Sequence, residues 1–320
     1  MQSPTQFEQL VHDLIDGEVP VPKLHLERLS DLDRAQINRF SPAWQAIPPS
    51  RRRELISALG RLAYDDITLT FEPINRMVLD DAEAEVRRRA IENLWECEDP
   101  SLVERFIGML KTDSAADVRA SAATALGRFV LLGQMERNSA KRLSAAEESL
   151  LSAHEGDADA AVRRRSLEAL GFSSRPEMGR LIRAAYQSGS DDLVQSALLA
   201  MGRSANAEWR PEVLAQLHNA SPGLRREAAS AAGELSLEDA IPDLIELLED
   251  VHDEVRRLAI WSLGEIGGPK ALKALSDLLE ASEDEDEQGL LEDALENLAF
   301  VDGARDFMLL DFEEPETEDS

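Results

Sequence analysis

The chain has 320 residues, 63 of them acidic and 34 basic, and its net charge of -29 repels phosphate backbones, which argues against nucleic acid as the main partner. A single cysteine, Cys97, excludes an intrachain disulfide and a clustered thiolate metal site. No stretch reaches about 18 apolar residues, and Met1 to Pro4 carries no basic flank before an apolar run. The expectation is therefore a cytoplasmic chain with no membrane contact.

In chain order, residues 1–48 stand apart. Phe7, Leu10, Val11, Leu14 and Ile15 have helical spacing, Pro20 and Pro22 break the chain, and a second helix is expected from about Ser30 to Phe40. Trp44, Ile47 and Pro48 lead out of this stretch, which reads as an N-terminal helical cap. From there one pattern returns. With Val255 as reference, its equivalents are Arg51, Val86, Val118, Val162, Leu193, Leu224 and Leu290, spaced by 31 to 35 residues except for one interval of 44. Such periods signal a solenoid.

Within each copy the reference residue, a small residue four positions on and a larger apolar one eight positions on share a helical face, as in Val118, Ala122 and Leu126. A preceding helix is opened by proline at Pro73, Pro100, Pro176, Pro211, Pro242 and Pro269. Glycine follows the face at Gly60, Gly127, Gly171, Gly202, Gly233 and Gly264, where it is expected to adopt a left-handed conformation and end the helix. Each unit is thus helix, turn, helix. Five residues before the reference stands Asp81, Asp113, Asp157, Asn219 or Asp250, and one after it Arg87, Arg119, Arg163, Arg225 or Arg256. An arginine fork can bond its own turn and the next one, predicting a structural ladder through the stack. In the fifth copy both partners change together, to Ser188 and Val194, and the last copy has Glu285 and Leu291.

This arrangement of turn aspartate, Val-Arg, small residue and Leu-Gly resembles the HEAT repeat, in the short bacterial form also seen in phycobilisome-lyase-like proteins, an armadillo-type fold. The resemblance covers roughly residues 50–300. It implies an all-α, right-handed α-solenoid of about seven to eight HEAT-like helix-turn-helix repeats with N- and C-terminal caps. The organisation expected is a cap over 1–48, a solenoid over 49–300 with an insertion at about 130–156, a C-terminal cap over 301–312, and a disordered acidic tail over 313–320. Residues 281–320 hold 16 acids against Arg305 alone, and the run from Glu283 to Glu287 is expected as a solvated loop.

Catalytic chemistry is hard to find. A HEAT hydroxylase of the deoxyhypusine type would carry repeated His-Glu pairs for metal, whereas His154-Glu155 is the one pair present, and His12, His25, His218 and His252 are scattered. Cys97 has no histidine nearby in sequence and reads as a packing residue. No catalytic, cofactor or metal residue is therefore assigned. The family contains scaffolds as well as chromophore lyases and hydroxylases, so the expected function is a non-catalytic protein-protein interaction scaffold with an unidentified protein partner, with an enzyme of lyase or hydroxylase type as the alternative. A further alternative lies in the arginines outside the ladder. Arg88, Arg164, Arg226 and Arg257, with Trp261 beside the last, could line the concave face and bind an acidic segment or nucleic acid, although glutamates are interspersed on the same helices.

Overall fold

The computed structural model describes Leu14 and residues 23–135 and 140–310, among which there are helices and turns and no strand. The expected first helix, apart from Leu14, and the acidic tail lie outside them. The chain forms an all-α solenoid of helix pairs, divided into two compact units, Met1–Ala169 and Leu170–Ser320.

In the first unit the described elements are α1 (Lys23–Glu27), α2 (Arg34–Ala46), α3 (Pro49–Asp65), α4 (Glu72–Val78), α5 (Ala84–Asn93), α6 (Ser101–Thr112), α7 (Ala116–Met135), α8 (Ala140–Gly156) and α9 (Ala160–Leu170). Helix α2 starts at a capping box in which Asp33 and Gln36 satisfy each other's backbone N–H groups. It does not stop near Phe40 as expected but continues through Pro42 to Ala46. Phe40 and Trp44 are buried on one side of it with ring centroids 5.9 Å apart, and this packing outweighs the hydrogen bond that proline removes. The α1–α2 turn is tied to the first repeat: Asp31 N–H donates to Thr70 O at 2.8 Å and Thr70 N–H to Ser30 Oγ at 2.9 Å. The 130–156 insertion is divided between a lengthened α7 and the long α8, with residues 136–139 outside the described set.

The second unit contains α10 (Met178–Tyr186), α11 (Asp191–Arg203), α12 (Arg210–Leu214), α13 (Pro222–Glu234), α14 (Ile241–Leu247), α15 (Asp253–Ile266), α16 (Pro269–Ala281) and α17 (Glu285–Leu310). Its second helices, α11, α13, α15 and α17, stack in sequence. The acidic run expected as a loop is instead mostly the first turn of α17. Asp284 caps that helix by accepting from the N–H groups of Asp286 at 2.9 Å and Glu287 at 3.2 Å, and negative charge is favoured at a helix N-terminus. Residues 301–310, expected as part of a C-terminal cap, continue the same helix. Asp302 on it accepts from Gly268 N–H at 3.1 Å.

The glycine expectation is corrected. Gly60, Gly127, Gly202, Gly233 and Gly264 lie inside helices, Gly171 sits in a turn without positive φ, and among the described residues the left-handed glycines are Gly189, Gly267 and Gly268. The interior ones permit close approach of successive second helices: a Cβ on Gly127 would stand 3.0 Å from the Ala169 backbone, and one on Gly264 would stand 2.8 Å from Ala294 O.

The buried face follows the i, i+4, i+8 pattern in Val86, Ala90 and Leu94 and in Val255, Ala259 and Leu263. It differs in the two copies that lack the ladder arginine. There the position after the reference is buried, as Val194 and Leu291, because a side chain with no charge to satisfy turns into the core.

Candidate functional site

The turn between the two helices of each repeat is built by the aspartate expected there. Asp113 Oδ1 accepts from Ala115 N–H at 2.9 Å, Asp157 Oδ1 from Asp159 N–H at 2.8 Å and Asp250 Oδ1 from His252 N–H at 2.9 Å. Asn219 does the same for Ser221 at 2.8 Å, and Ser188 for Ser190 at a longer 3.2 Å. Each arginine then closes its own turn, Arg119 onto Asp113 O at 3.0 Å, Arg163 onto Asp157 O at 2.7 Å and Arg256 onto Asp250 O at 2.8 Å. Its remaining nitrogens reach forward. Arg87 grips Asp113 at 2.8 and 2.7 Å, Arg119 grips Asp157 at 2.8 and 2.8 Å, and Arg225 grips Asp250 at 2.7 and 2.9 Å. Arg256 turns back to Asp253 at 3.1 Å.

Sequence reasoning missed the first rung. Arg52 Nη1 and Trp44 Nε1 both donate to Asp81 Oδ2 at 2.6 Å, with all three side chains buried. The signal was present, since Arg52 follows the reference position Arg51 as Arg87 follows Val86.

The Arg225 fork, opposed by burial and aided by the His252 N–H, lowers the Asp250 carboxyl from 3.8 to about 2. A carboxyl depressed in the fold contributes stability that is complete above its unfolded value and is lost as pH falls through its folded one. Denaturant midpoints measured against pH are therefore expected to drop between pH 3.8 and about 2 through this group, with Arg225→Met shallower over that range than the wild type.

Three of the four arginines read as a concave stripe meet their counter-charge on the protein itself. Arg88 is forked between Glu85 at 2.6 Å and Glu92 at 2.5 Å, Arg226 between Glu227 at 2.6 Å and Glu254 at 2.8 Å, and Arg257 bonds Asp253 at 2.7 Å. Arg164 is half-buried on α9. Trp261 is 39% exposed on α15, and a Cβ on Gly233 would meet its ring at 2.8 Å, so the indole rests on the neighbouring helix.

A cavity in the first unit emerges instead. A groove of about 740 Å3 crosses α5, α7 and α9. It exists because the third copy carries Ala120 and Ser121 where its neighbours carry Arg88-Arg89 and Arg164-Arg165, leaving a trough between Arg88 and Arg165. Comparing the copies position by position would have found it. A second hollow of about 640 Å3, between α3 and α5, shares Glu92, Leu94, Trp95 and Cys97 with the first. Helix α5 ends at Asn93, and the turn that follows pushes Trp95 outward to 58% exposure at the junction. Tyr64 at 83% and Ile67 at 95% line the second hollow. Exposed bulky groups around a concave surface make these hollows the candidate site.

Cys97, also at the junction, is half-buried and accepts from Arg76 Nη2 at 3.5 Å. Burial, with the Glu72 carboxylate adding to it, pushes the thiol up and keeps it protonated. Among the described residues no three His, Cys, Asp or Glu side chains cluster as a metal site, and no helix is long and apolar enough to cross a membrane. His154 faces Arg163 O at 3.0 Å, His218 faces Asp243 at 3.2 Å and His252 faces Asp250 at 3.2 Å, each within its own unit.

The chain is similar in structure to human deoxyhypusine hydroxylase in complex with glycerol, at 22% identity and TM-score 0.38 over 92% of this chain and 96% of that one. It is similar to the complex of CpcE and CpcF of phycocyanin lyase from Nostoc sp. PCC7120, at 21% identity and TM-score 0.46 over 72% and 95%. A designed armadillo repeat protein matches at 18% identity and TM-score 0.36 over 61% and 99%. No curated protein matches the sequence. The family model for HEAT repeats matches residues 73–146 and 210–296, together just over half of the chain. With its turn aspartates, arginine rungs and paired helices, the chain belongs to the HEAT-repeat family.

Proposed function

We propose that the chain is a non-catalytic interaction scaffold that docks a protein partner in the groove across α5, α7 and α9. The observation that carries this reading is Trp95. It is a large apolar side chain held out of the core at the meeting point of two hollows. Aromatic anchors dominate binding energy where a partner can desolvate them. The arginines around it are neutralised locally, which removes the electrostatic basis for holding an acidic segment through Arg88.

Affinity capture from native lysate tests this. One protein recovered with the intact chain and lost with Trp95→Ala/Tyr64→Ala is the expected result; both residues are exposed, so the variant retains its helicity. Recovery that survives those changes but is lost with Arg226→Glu/Arg257→Glu would overturn the groove. Stoichiometric iron or a coloured chromophore copurifying with the protein would overturn the non-catalytic part.

A further inference from the structure

Resting on the docking reading above, we infer that the partner segment is basic and carries bulky apolar anchors. The two hollows meet at Trp95, and Tyr64 and Ile67 continue the apolar surface along α3 and the turn after it. A single side chain fills neither, so the shape suits a segment with several apolar groups in succession.

The sign of the partner's charge follows from which lining charges are already spent. Arg88 and Arg89 share Glu85 and Glu92, Arg128 bonds Glu98 at 2.7 Å, and Arg165 bonds Glu168 at 2.6 Å. An incoming carboxylate would meet arginines whose charge is already compensated by an internal partner. The acidic groups stand differently. Glu96 lines the second hollow and Asp117 the first, and both are exposed with no ion pair among the described residues. Docking a neutral segment over them would strip their water without returning a partner, which costs free energy unless a cation arrives. Glu96 adjoins Trp95 in sequence, so a residue seated on the indole brings its neighbours to that carboxylate. Asp117 has a structural use as well, since it lies in the first turn of α7, where negative charge suits the helix dipole. Glu96 has no such use. At longer range the net charge of -29 accelerates encounter with a cationic chain and slows encounter with an anionic one.

The test is selection of random displayed peptides on the full chain at physiological salt, with counter-selection on Trp95→Ala. The expected peptides are rich in Lys and Arg and carry Trp, Phe, Leu or Met. As synthetic peptides they bind Trp95→Ala about tenfold more weakly than the wild type, and Glu96→Lys/Asp117→Lys at least tenfold more weakly, both variants keeping wild-type helicity. Trp95-dependent peptides that are acidic or neutral, or that ignore the charge reversal, would overturn the basic partner while leaving the docking groove in place. Absence of any Trp95-dependent peptide would overturn the groove itself.

Discussion

Asp81→Ala is expected to destabilise the first unit by about 3–5 kcal/mol, the range for removing one partner of a buried ion pair. The carboxylate does three things at once. Its Oδ2 accepts from Arg52 and from the Trp44 indole, and its Oδ1 accepts from Glu83 N–H at 2.8 Å. Alanine leaves a guanidinium, 7% exposed, without its counter-charge, together with an orphaned indole N–H and an unbonded Glu83 N–H in the turn before α5. Asp81→Asn keeps oxygen for the turn but loses the charge, and should fall between the two. Replacing both partners, as Arg52→Met/Asp81→Leu, removes the buried charges and should recover much of the loss. Chemical denaturation followed by circular dichroism reads all three. A cost for Asp81→Ala below about 1 kcal/mol, the value of an exposed pair, would show that Arg52 finds another partner.

Gly264→Ala should cost about 2–3 kcal/mol, although alanine is the better helix former by roughly 1 kcal/mol. The new methyl would stand 2.8 Å from Ala294 O and 3.1 Å from Ala294 Cα, and those are backbone atoms that cannot step aside as a side chain could. Helices α15 and α17 must separate, and Val255, Ala259 and Leu263 lose part of their contact. Gly108→Ala is the internal control. That residue lies in α6 with nothing within 4 Å of a built Cβ, so propensity alone acts and the variant should gain roughly 0.5–1 kcal/mol. Thermal melts of the two variants should therefore move in opposite directions. A Gly264→Ala midpoint at or above the wild type would mean that the stack yields at this crossing.

Repeat period, helical pairing and the polar ladder were legible because each is a local rule copied along the chain. A turn aspartate and an arginine six residues later meet through the same turn wherever they recur, and the reach to the next aspartate repeats with the stack. Helix ends were less legible: α2 runs past Pro42 because Phe40 and Trp44 pack from one side of it, a contact no local rule contains. The interior glycines show the same limit. In sequence a glycine after an apolar face looks like a helix stop, whereas its role here is set by the distance to a helix some 30 residues on, as between Gly264 and Ala294.

By itself the sequence determined the all-α repeat architecture, the stacked turns and the acidic field, since periodicity and charge are properties of the chain. Tertiary structure alone decided which arginines are neutralised, that Trp95 stands outside the core and that two hollows meet beneath it. Those are matters of which side chains from different repeats share one volume, and that depends on how closely successive helices approach.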